Sequence, residues 1–173
     1  GRVEITPEGQ SEVHARYPGR IMSLNAELGQ RVSRGQVLAR VESSESLQTY
    51  SVTAPISGVI MAKNANPGAI TGNGEPMLVI GDPTRLHAEY FLYPRDAERV
   101  RTGQRVEVTS LAGDHRFNGV IEAILPGADP TSQTLTAHVD LAYMGGVWRP
   151  GLGVKGMVQV GQGEVPLAVQ TKA

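Results

Sequence analysis

Residues 18–41 read PGRIMSLNAELGQRVSRGQVLARV, and residues 57–80 read SGVIMAKNANPGAITGNGEPMLVI. When the two segments are aligned at an offset of 39 residues without a gap, seven positions are identical, and three of these are glycines. The apolar pairs Leu38/Met77 and Val41/Ile80 add to the match. Self-similarity at a fixed offset indicates two copies of one structural unit. We therefore interpret the segments as a repeat rather than as two hairpins that are alike by chance.

Each copy of the repeat predicts short strands joined by glycine turns. Arg20–Leu24 alternates as a half-buried strand does. A turn at Gly29 follows, where glycine can adopt a positive φ, and Gly35 forms a second turn before a short apolar strand. That strand is predicted at Val37–Val41 in the first copy and at Met77–Ile80 in the second. Neither half can bury its apolar face alone, so we expect a flattened β-sandwich with a pseudo-twofold axis.

The pattern after residue 85 predicts further strands and one short helix. Leu86–Tyr93 alternates as a strand, and Pro94–Arg101 is predicted as a helix that Gly103 terminates. The later predicted strands are Arg105–Ser110, Phe117–Leu125, Leu135–Leu141 and Val154–Val160. Short strands at this spacing are typical of a small antiparallel barrel.

The chain resembles the periplasmic adaptor, or membrane fusion, proteins of tripartite efflux pumps of the RND type, a HlyD-like family. The segment APISGVI at 54–60 looks like the second half of a biotinyl/lipoyl fold in these proteins. The segments NGVIEAI at 118–124 and RPGLGV at 149–154 are similar to strands and to the Pro-Gly turn of their barrel. The chain departs from the family at Glu42–Tyr50, which stands where adaptors usually carry a long α-helical hairpin.

The resemblance implies an all-β chain that contains a barrel-sandwich (biotinyl/lipoyl-like) domain and a small antiparallel β-barrel with one short helix. We expect the barrel-sandwich domain at 11–81, and the barrel at 1–10 and 84–162 with Val3–Thr6 as one of its strands. Residues 163–173 would begin a membrane-proximal domain. The Gly and Pro of Gly81–Thr84 suit a domain boundary.

The resemblance also implies a function in coupling rather than in catalysis. Such adaptors bridge an inner-membrane efflux transporter and an outer-membrane channel, associate into rings and work in the periplasm, and the full-length protein would be anchored to the inner membrane. The exported substrate, a metal ion or a drug, stays open. Because helices shorter than about 12–15 residues are marginal in water, Glu42–Tyr50 cannot replace the hairpin.

Either the tip of the lipoyl-like domain contacts the outer-membrane channel or the channel extends further inward to meet it, with Glu45, Ser46 and Gln48 as the expected contact surface. The alternative is that Glu42–Tyr50 is the inert remainder of an engineered deletion. One helical turn within this loop would place Ser44 as its cap and allow Leu47 to pack down.

Two other functions were weighed. A biotinyl or lipoyl carrier needs a lysine on the exposed turn between the halves. The three lysines are Lys63, Lys155 and Lys172, and none of them lies in that turn. A metallochaperone would bind zinc or copper tightly. No two of the four histidines have a local ligand spacing, and the equivalent positions of Met22 and Met61 in the repeat indicate packing. We name no metal site and no cofactor.

The composition and the motifs argue against several other classes. The net charge of −1 gives no support for nucleic acid as a partner. The chain has no cysteine, which excludes thiolate sites and disulfides. The GLGVKG segment at 151–156 matches a dinucleotide fingerprint but lacks its strand–helix context, so we interpret it as a turn. His87-Ala88-Glu89 has the spacing of a deaminase motif without its cysteines, and we interpret it as one face of a strand. We name no catalytic residue.

Overall fold

The computed structural model describes residues 1–160 and 163–167, and nearly all of its regular structure is β-strand. The chain divides into two compact units, which are residues 7–83 and residues 1–6 together with those from 84 onward. In the part of the chain that is described, no helix is both long enough and apolar enough to cross a bilayer.

The unit formed by residues 7–83 opens with a 3₁₀ turn at Pro7–Gly9 and contains two four-stranded sheets. Its strands are β2 (Gln10–Val13), β3 (Gly19–Leu24), β4 (Arg31–Val32), β5 (Val37–Ser43), β6 (Thr49–Thr53), β7 (Gly58–Lys63), β8 (Ile70–Thr71) and β9 (Leu78–Gly81). One sheet has the order β2-β9-β7-β4 and the other β6-β5-β3-β8. A single apolar core draws residues from both sheets, among them Ile21, Val41, Ile60 and Ile80.

The repeat is confirmed and is larger than the sequence match. Strands β3 and β7 begin and end 39 residues apart, as do β4 and β8. Strands β2 and β6 also begin 39 residues apart, although their sequences share only Val13 and Val52 within the overlap. The pairing of β3 with β5 is repeated 39 residue numbers later by the pairing of β7 with β9. Ile21 lies opposite Val41 in the first pair, and Ile60 lies opposite Ile80 in the second. Because β4 pairs with β7 and β8 with β3, each sheet contains strands of both copies.

The interpretation of Met22 and Met61 as packing residues was wrong. The register shifts between Ile21 and Ser23 in β3, and between Ile60 and Ala62 in β7, so each methionine lies in a β-bulge. In both strands a buried isoleucine is followed by an exposed methionine, as the alternation of side chains between the two faces of a sheet requires. Met22 and Met61 are accordingly 51% and 44% exposed.

The second unit also consists of two four-stranded sheets, which share one apolar core. Its elements are β1 (Arg2–Ile5), β10 (Leu86–Leu92), α1 (Pro94–Ala97), β11 (Arg105–Ser110), β12 (Arg116–Val120), β13 (Ala123–Ile124), β14 (Leu135–Leu141), β15 (Val154–Val160) and β16 (Gly163–Leu167). The sheets have the orders β1-β10-β14-β13 and β12-β11-β15-β16. The pairing of β1 with β10 confirms that the N-terminal strand joins the barrel.

Three predicted elements of this unit differ in the structure. Helix α1 ends at Ala97 instead of Arg101, and the Arg101 guanidinium donates to the carbonyls of Ala97 and Val100 beyond it. Gly103 is therefore not the helix cap; it adopts a φ of +88° and donates to the carbonyl of Ile121. The single strand predicted at Phe117–Leu125 is two strands, β12 and β13, which lie in different sheets.

The structure bears on two segments at the bounds of the predicted domains, residues 7–10 and residues 163–173. Residues 7–10 lie with the first unit, since Gln10 pairs with Gly81, rather than with the barrel. Gly163–Leu167 pairs with β15 as the edge strand of a barrel sheet, and the start of a membrane-proximal domain at residues 163–173 stays a prediction. The rest of the segment assigned to a membrane-proximal domain, residues 168–173, lies outside the described residues.

Candidate functional site

The tip loop, residues 44–48, joins β5 to β6 and carries the three residues predicted to contact a partner. Ser43 organises it: the carbonyl of Ser43 accepts a hydrogen bond from the Leu47 amide at 2.9 Å, and the Ser43 amide donates to the Gln48 carbonyl at 2.9 Å. The Ser43 hydroxyl accepts from the amides of Glu45 and Ser46 at 3.3 and 3.4 Å. With the backbone satisfied locally, the side chains of Glu45, Ser46 and Gln48 are all exposed.

The details of the loop correct two expectations. The capping hydroxyl belongs to Ser43, which is buried, and not to Ser44. Leu47 does not pack down: it is 71% exposed and has a φ of +56°, in the left-handed region that side chains with a Cβ rarely adopt. Local sequence gives no signal for this conformation, so sequence reasoning missed Leu47 as an apolar feature of the tip.

A second segment supports the tip loop from the side. The Ser44 amide donates to the Pro18 carbonyl at 2.9 Å. The Tyr50 hydroxyl accepts from the Tyr17 amide at 3.0 Å and donates to the Tyr17 carbonyl, and the two rings meet edge to face with centroids 5.7 Å apart. Tyr17 is itself exposed. Leu47, Glu45 and Tyr17 are therefore exposed on a backbone that these hydrogen bonds hold in place.

The lysine needed by a carrier domain has no counterpart in this loop. Lys63 lies in β7, and its ammonium group contacts the two carboxylate oxygens of Glu27 at 3.1 and 3.2 Å. The tip loop offers carboxylate, hydroxyl, amide and aliphatic groups, which suit contact with a protein surface rather than covalent attachment of a cofactor.

The barrel unit contains a cluster that sequence reasoning did not find. His87 and Glu89 lie two residues apart on β10, which confirms their interpretation as one strand face, and His138 lies opposite Glu89 on β14. One ligand atom from each of the three side chains can be chosen so that all three lie within 4.8 Å of one another. The two imidazole rings stack with centroids 4.2 Å apart and planes at 27°.

This cluster is largely buried. His87 is only 4% exposed, and the side chains of Glu89 and His138 are 17% and 18% exposed. Nε2 of His138 has no hydrogen-bond partner among the described residues, and its distance of 3.5 Å to Oε2 of Glu89 exceeds that of a good hydrogen bond. A buried polar atom left in this state costs about 1–3 kcal/mol.

The other carboxylate oxygen of Glu89 faces an arginine. Nη2 of Arg2 on β1 lies 3.7 Å from Oε1 of Glu89, while Nε of Arg2 contacts the Glu4 carboxylate at 2.6 Å. Arg2 thus fixes the outer side of the Glu89 carboxylate and leaves Oε2 toward His138. The search for local histidine spacings missed the cluster because β10 and β14 are far apart in sequence and only pairing brings them together.

The remaining two histidines lie in exposed positions. His14 contacts Glu12 at 3.0 Å on β2, and His115 contacts Asp114 at 3.4 Å in the turn after β11. The GLGVKG segment at 151–156 is a turn with Gly151 at a φ of +89° that leads into β15, as predicted from its lack of a following helix.

Comparison with known families matches both units. Residues 9–82 match the CzcB-like barrel-sandwich hybrid domain, and residues 87–161 match the CusB-like beta-barrel domain. The chain is 30% identical over 131 residues to the cation efflux system protein CzcB of Alcaligenes sp. (strain CT14). It is also 30% identical over 131 residues to the cobalt-zinc-cadmium resistance protein CzcB of Cupriavidus metallidurans. Each alignment covers 76% of this chain and 25% of the relative, so the chain spans about a quarter of the length of these curated relatives.

Solved structures share the fold at low sequence identity. ZneB from Cupriavidus metallidurans superposes with a TM-score of 0.75 at 17% identity, covering 90% of this chain and 94% of that chain. MacA from Actinobacillus actinomycetemcomitans superposes with a TM-score of 0.78 at 14% identity, covering 96% and 78%. The predicted fold class, a barrel-sandwich domain with a small β-barrel, is confirmed.

Proposed function

The chain belongs to the family of periplasmic adaptor, or membrane fusion, proteins, and from this membership we propose that it is the adaptor subunit of a tripartite efflux system. It would couple an inner-membrane transporter of the RND type to an outer-membrane channel by structural bridging, without turning over a substrate. Self-association into a ring, a periplasmic location and an inner-membrane anchor in the full-length protein belong to the same proposal.

One observation carries the proposal. A CzcB-like barrel-sandwich unit and a CusB-like barrel unit occur in one chain, in that order, and together account for most of its length. The relatives at 30% identity are named for cation efflux and for cobalt, zinc and cadmium resistance, which favours a metal cation over a drug as the exported substrate.

We place the partner contact of the barrel-sandwich unit at the tip loop. Glu45, Ser46 and Gln48 are exposed on a backbone that Ser43 and Pro18 hold in place, and Leu47 adds an apolar side chain at the same point. Only residues 44–48 connect β5 to β6, so the helical hairpin of other adaptors has no counterpart here. The outer-membrane channel is the partner that we assign to this surface.

Deleting the gene for the full-length protein in its source organism tests the efflux role. We expect tolerance of zinc, cobalt and cadmium to fall, cell-associated metal to rise, and both to return when the gene is restored on a plasmid. Tolerance of a panel of drugs serves as the control and should not change. Unchanged metal tolerance together with unchanged metal content would contradict the proposal, whereas sensitivity to drugs alone would replace the substrate class and keep the adaptor role.

A further inference from the structure

We propose that His87, Glu89 and His138 form a binding site for one divalent transition-metal ion, with Zn²⁺ as the preferred ion. The site lies within one sheet of the barrel unit, across the β10–β14 pair. It rests on these side chains alone and does not depend on the efflux role.

The donor set matches the chemistry of zinc. Imidazole nitrogen and carboxylate oxygen are common zinc ligands, and two histidines with one glutamate leave a fourth tetrahedral position for water. Zinc–ligand bonds of about 2.0–2.1 Å in tetrahedral geometry separate two ligand atoms by about 3.3–3.4 Å. Nε2 of His138 and Oε2 of Glu89 are already 3.5 Å apart. The ligand atoms of the whole set lie within 4.8 Å of one another, and because the two imidazole rings are stacked, metal binding requires rotation of the rings toward a common point.

The state of His138 gives a second, independent reason. Its Nε2 is buried among the described residues without a hydrogen-bond partner and lies 3.5 Å from Oε2 of Glu89. Buried polar atoms in proteins are nearly always paired, and an orphaned one calls for an explanation such as an ion. A metal bound between Nε2 of His138 and Oε2 of Glu89 supplies the missing partner.

The charges around the cluster favour a cation. Strand pairing places Glu4 and Asp140 on either side of His87, and Arg2 opposite Glu89. With neutral histidines, the carboxylates of Glu4, Glu89 and Asp140 stand against two guanidinium groups, those of Arg2 and of Arg85, which precedes His87 by two residues. Arg2 contacts Glu4 more closely than Glu89 and approaches the Glu89 oxygen that faces away from His138. Such an outer partner orients a ligating carboxylate, as in many metal sites.

Calorimetric titration of the chelator-treated chain with zinc sulfate tests the site. We expect one zinc ion per chain, and an affinity at least about tenfold lower in Glu89→Gln and in His138→Asn. His115→Ala is the matched control, because it removes an exposed histidine that also contacts a carboxylate in the same unit. It should bind zinc like the wild type.

Two further measurements exclude misfolding as the cause. Thermal unfolding without metal should give similar midpoints for all four proteins, and zinc should raise the midpoint of the wild type and of His115→Ala only, because a ligand that binds the folded state stabilises it. Cobalt(II) should give the intense visible bands of a four-coordinate ion in the wild type and not in Glu89→Gln. The proposal is overturned if zinc binds without defined stoichiometry, or if both site variants retain wild-type affinity, which would leave the cluster as a His–Glu ion pair only.

Discussion

Leu47 has two features at the tip loop that are unfavourable for an isolated chain. Its φ of +56° is in the left-handed region, which costs a residue with a Cβ about 1–2 kcal/mol. Its side chain is 71% exposed and gains little from burial. Glycine would fit this backbone without the steric cost. A leucine here is therefore better explained by contact with a partner than by the stability of the hairpin.

Replacing Leu47 separates stability from contact. Leu47→Gly removes the strain together with the side chain, so we expect the free energy of unfolding of the chain to stay equal or to rise by up to about 1 kcal/mol. In cells that depend on the full-length protein for metal tolerance, the same variant should lower that tolerance. Leu47→Ala should lower tolerance as well without the gain in stability. Chemical denaturation and growth on metal give the two readouts.

The control for Leu47 is another exposed leucine of the same unit. Leu28 is 64% exposed in a turn, and Leu28→Ala should change neither stability nor tolerance appreciably. If Leu47→Gly supports full metal tolerance while the adaptor is still required, the tip loop does not carry the partner contact.

The residue scale also shows where sequence reasoning ends. Exposure of Glu45, Ser46 and Gln48 follows from a short polar link between strands, and their role in binding stays a prediction. Exposure of Met22 follows from its alternation with the buried Ile21, whereas its match to Met61 in the repeat suggested packing and gave the wrong answer. The nearness of His138 to Glu89 depends on the register of two distant strands, which no local spacing contains.

At the scale of elements, the repeat was predictable because its glycines are fixed by sterics. A Cβ built on Gly19 would lie 2.0 Å from the Glu42 carbonyl oxygen, and one on Gly58 would lie 2.5 Å from the Gly81 carbonyl oxygen. These two glycines occupy equivalent positions of the repeat, and each allows its strand to approach the neighbouring backbone. Strands β2 and β6 need only alternation and one buried valine, so their equivalence is visible in the structure and not in the sequence.

Alanine at either glycine should therefore destabilise the barrel-sandwich unit. We expect Gly19→Ala and Gly58→Ala each to lower the free energy of unfolding by about 1–3 kcal/mol, because backbone must shift to admit the methyl group. Urea unfolding followed by far-UV circular dichroism measures the loss.

Gly127 is the matched control for these substitutions. Its φ is not positive, and a Cβ there would have no heavy atom within 4 Å, so Gly127→Ala should change stability by less than about 0.5 kcal/mol. Equal stability of all three alanine variants would show that the close approach at Gly19 and Gly58 is not a constraint in solution.

The split of the predicted strand at Phe117–Leu125 has a topological cause. The Ile121 amide donates to the Gln104 carbonyl next to β11, whereas the Glu122 amide donates to the His138 carbonyl of β14. The chain therefore exchanges one sheet for the other between these two residues, as strands do at the corners of small barrels. Both segments are apolar enough to be strands, and the sequence alone does not mark the corner.

At the scale of the whole molecule, the barrel unit is discontinuous in sequence, because the barrel-sandwich unit is inserted after its first strand. Residues 1–6 belong to the barrel, residues 7–83 form the other unit, and the barrel resumes at Thr84. The sequence predicted this path only through the family resemblance, because a four-residue strand such as β1 has too little pattern to assign its partner. The register of β1 with β10 places Val3 opposite Ala88, and Val3 is fully buried.

The barrel should consequently depend on its first strand. A chain that starts at Pro7 exposes the hydrogen-bonding edge of β10 and loses the side chain of Val3 from the core, so we expect the barrel unit to unfold at lower denaturant concentration. Trp148 is the only tryptophan, is buried in this unit, and reports its unfolding through fluorescence.

In the full chain Val3→Ala should cost about 1–3 kcal/mol. Val120→Ala, at a more exposed valine of the same unit, should cost less than about 0.5 kcal/mol. If the shortened chain and Val3→Ala both give the wild-type fluorescence transition, β1 does not contribute to the barrel in solution. Loss of a buried valine and of four paired residues would otherwise lower the stability of the unit.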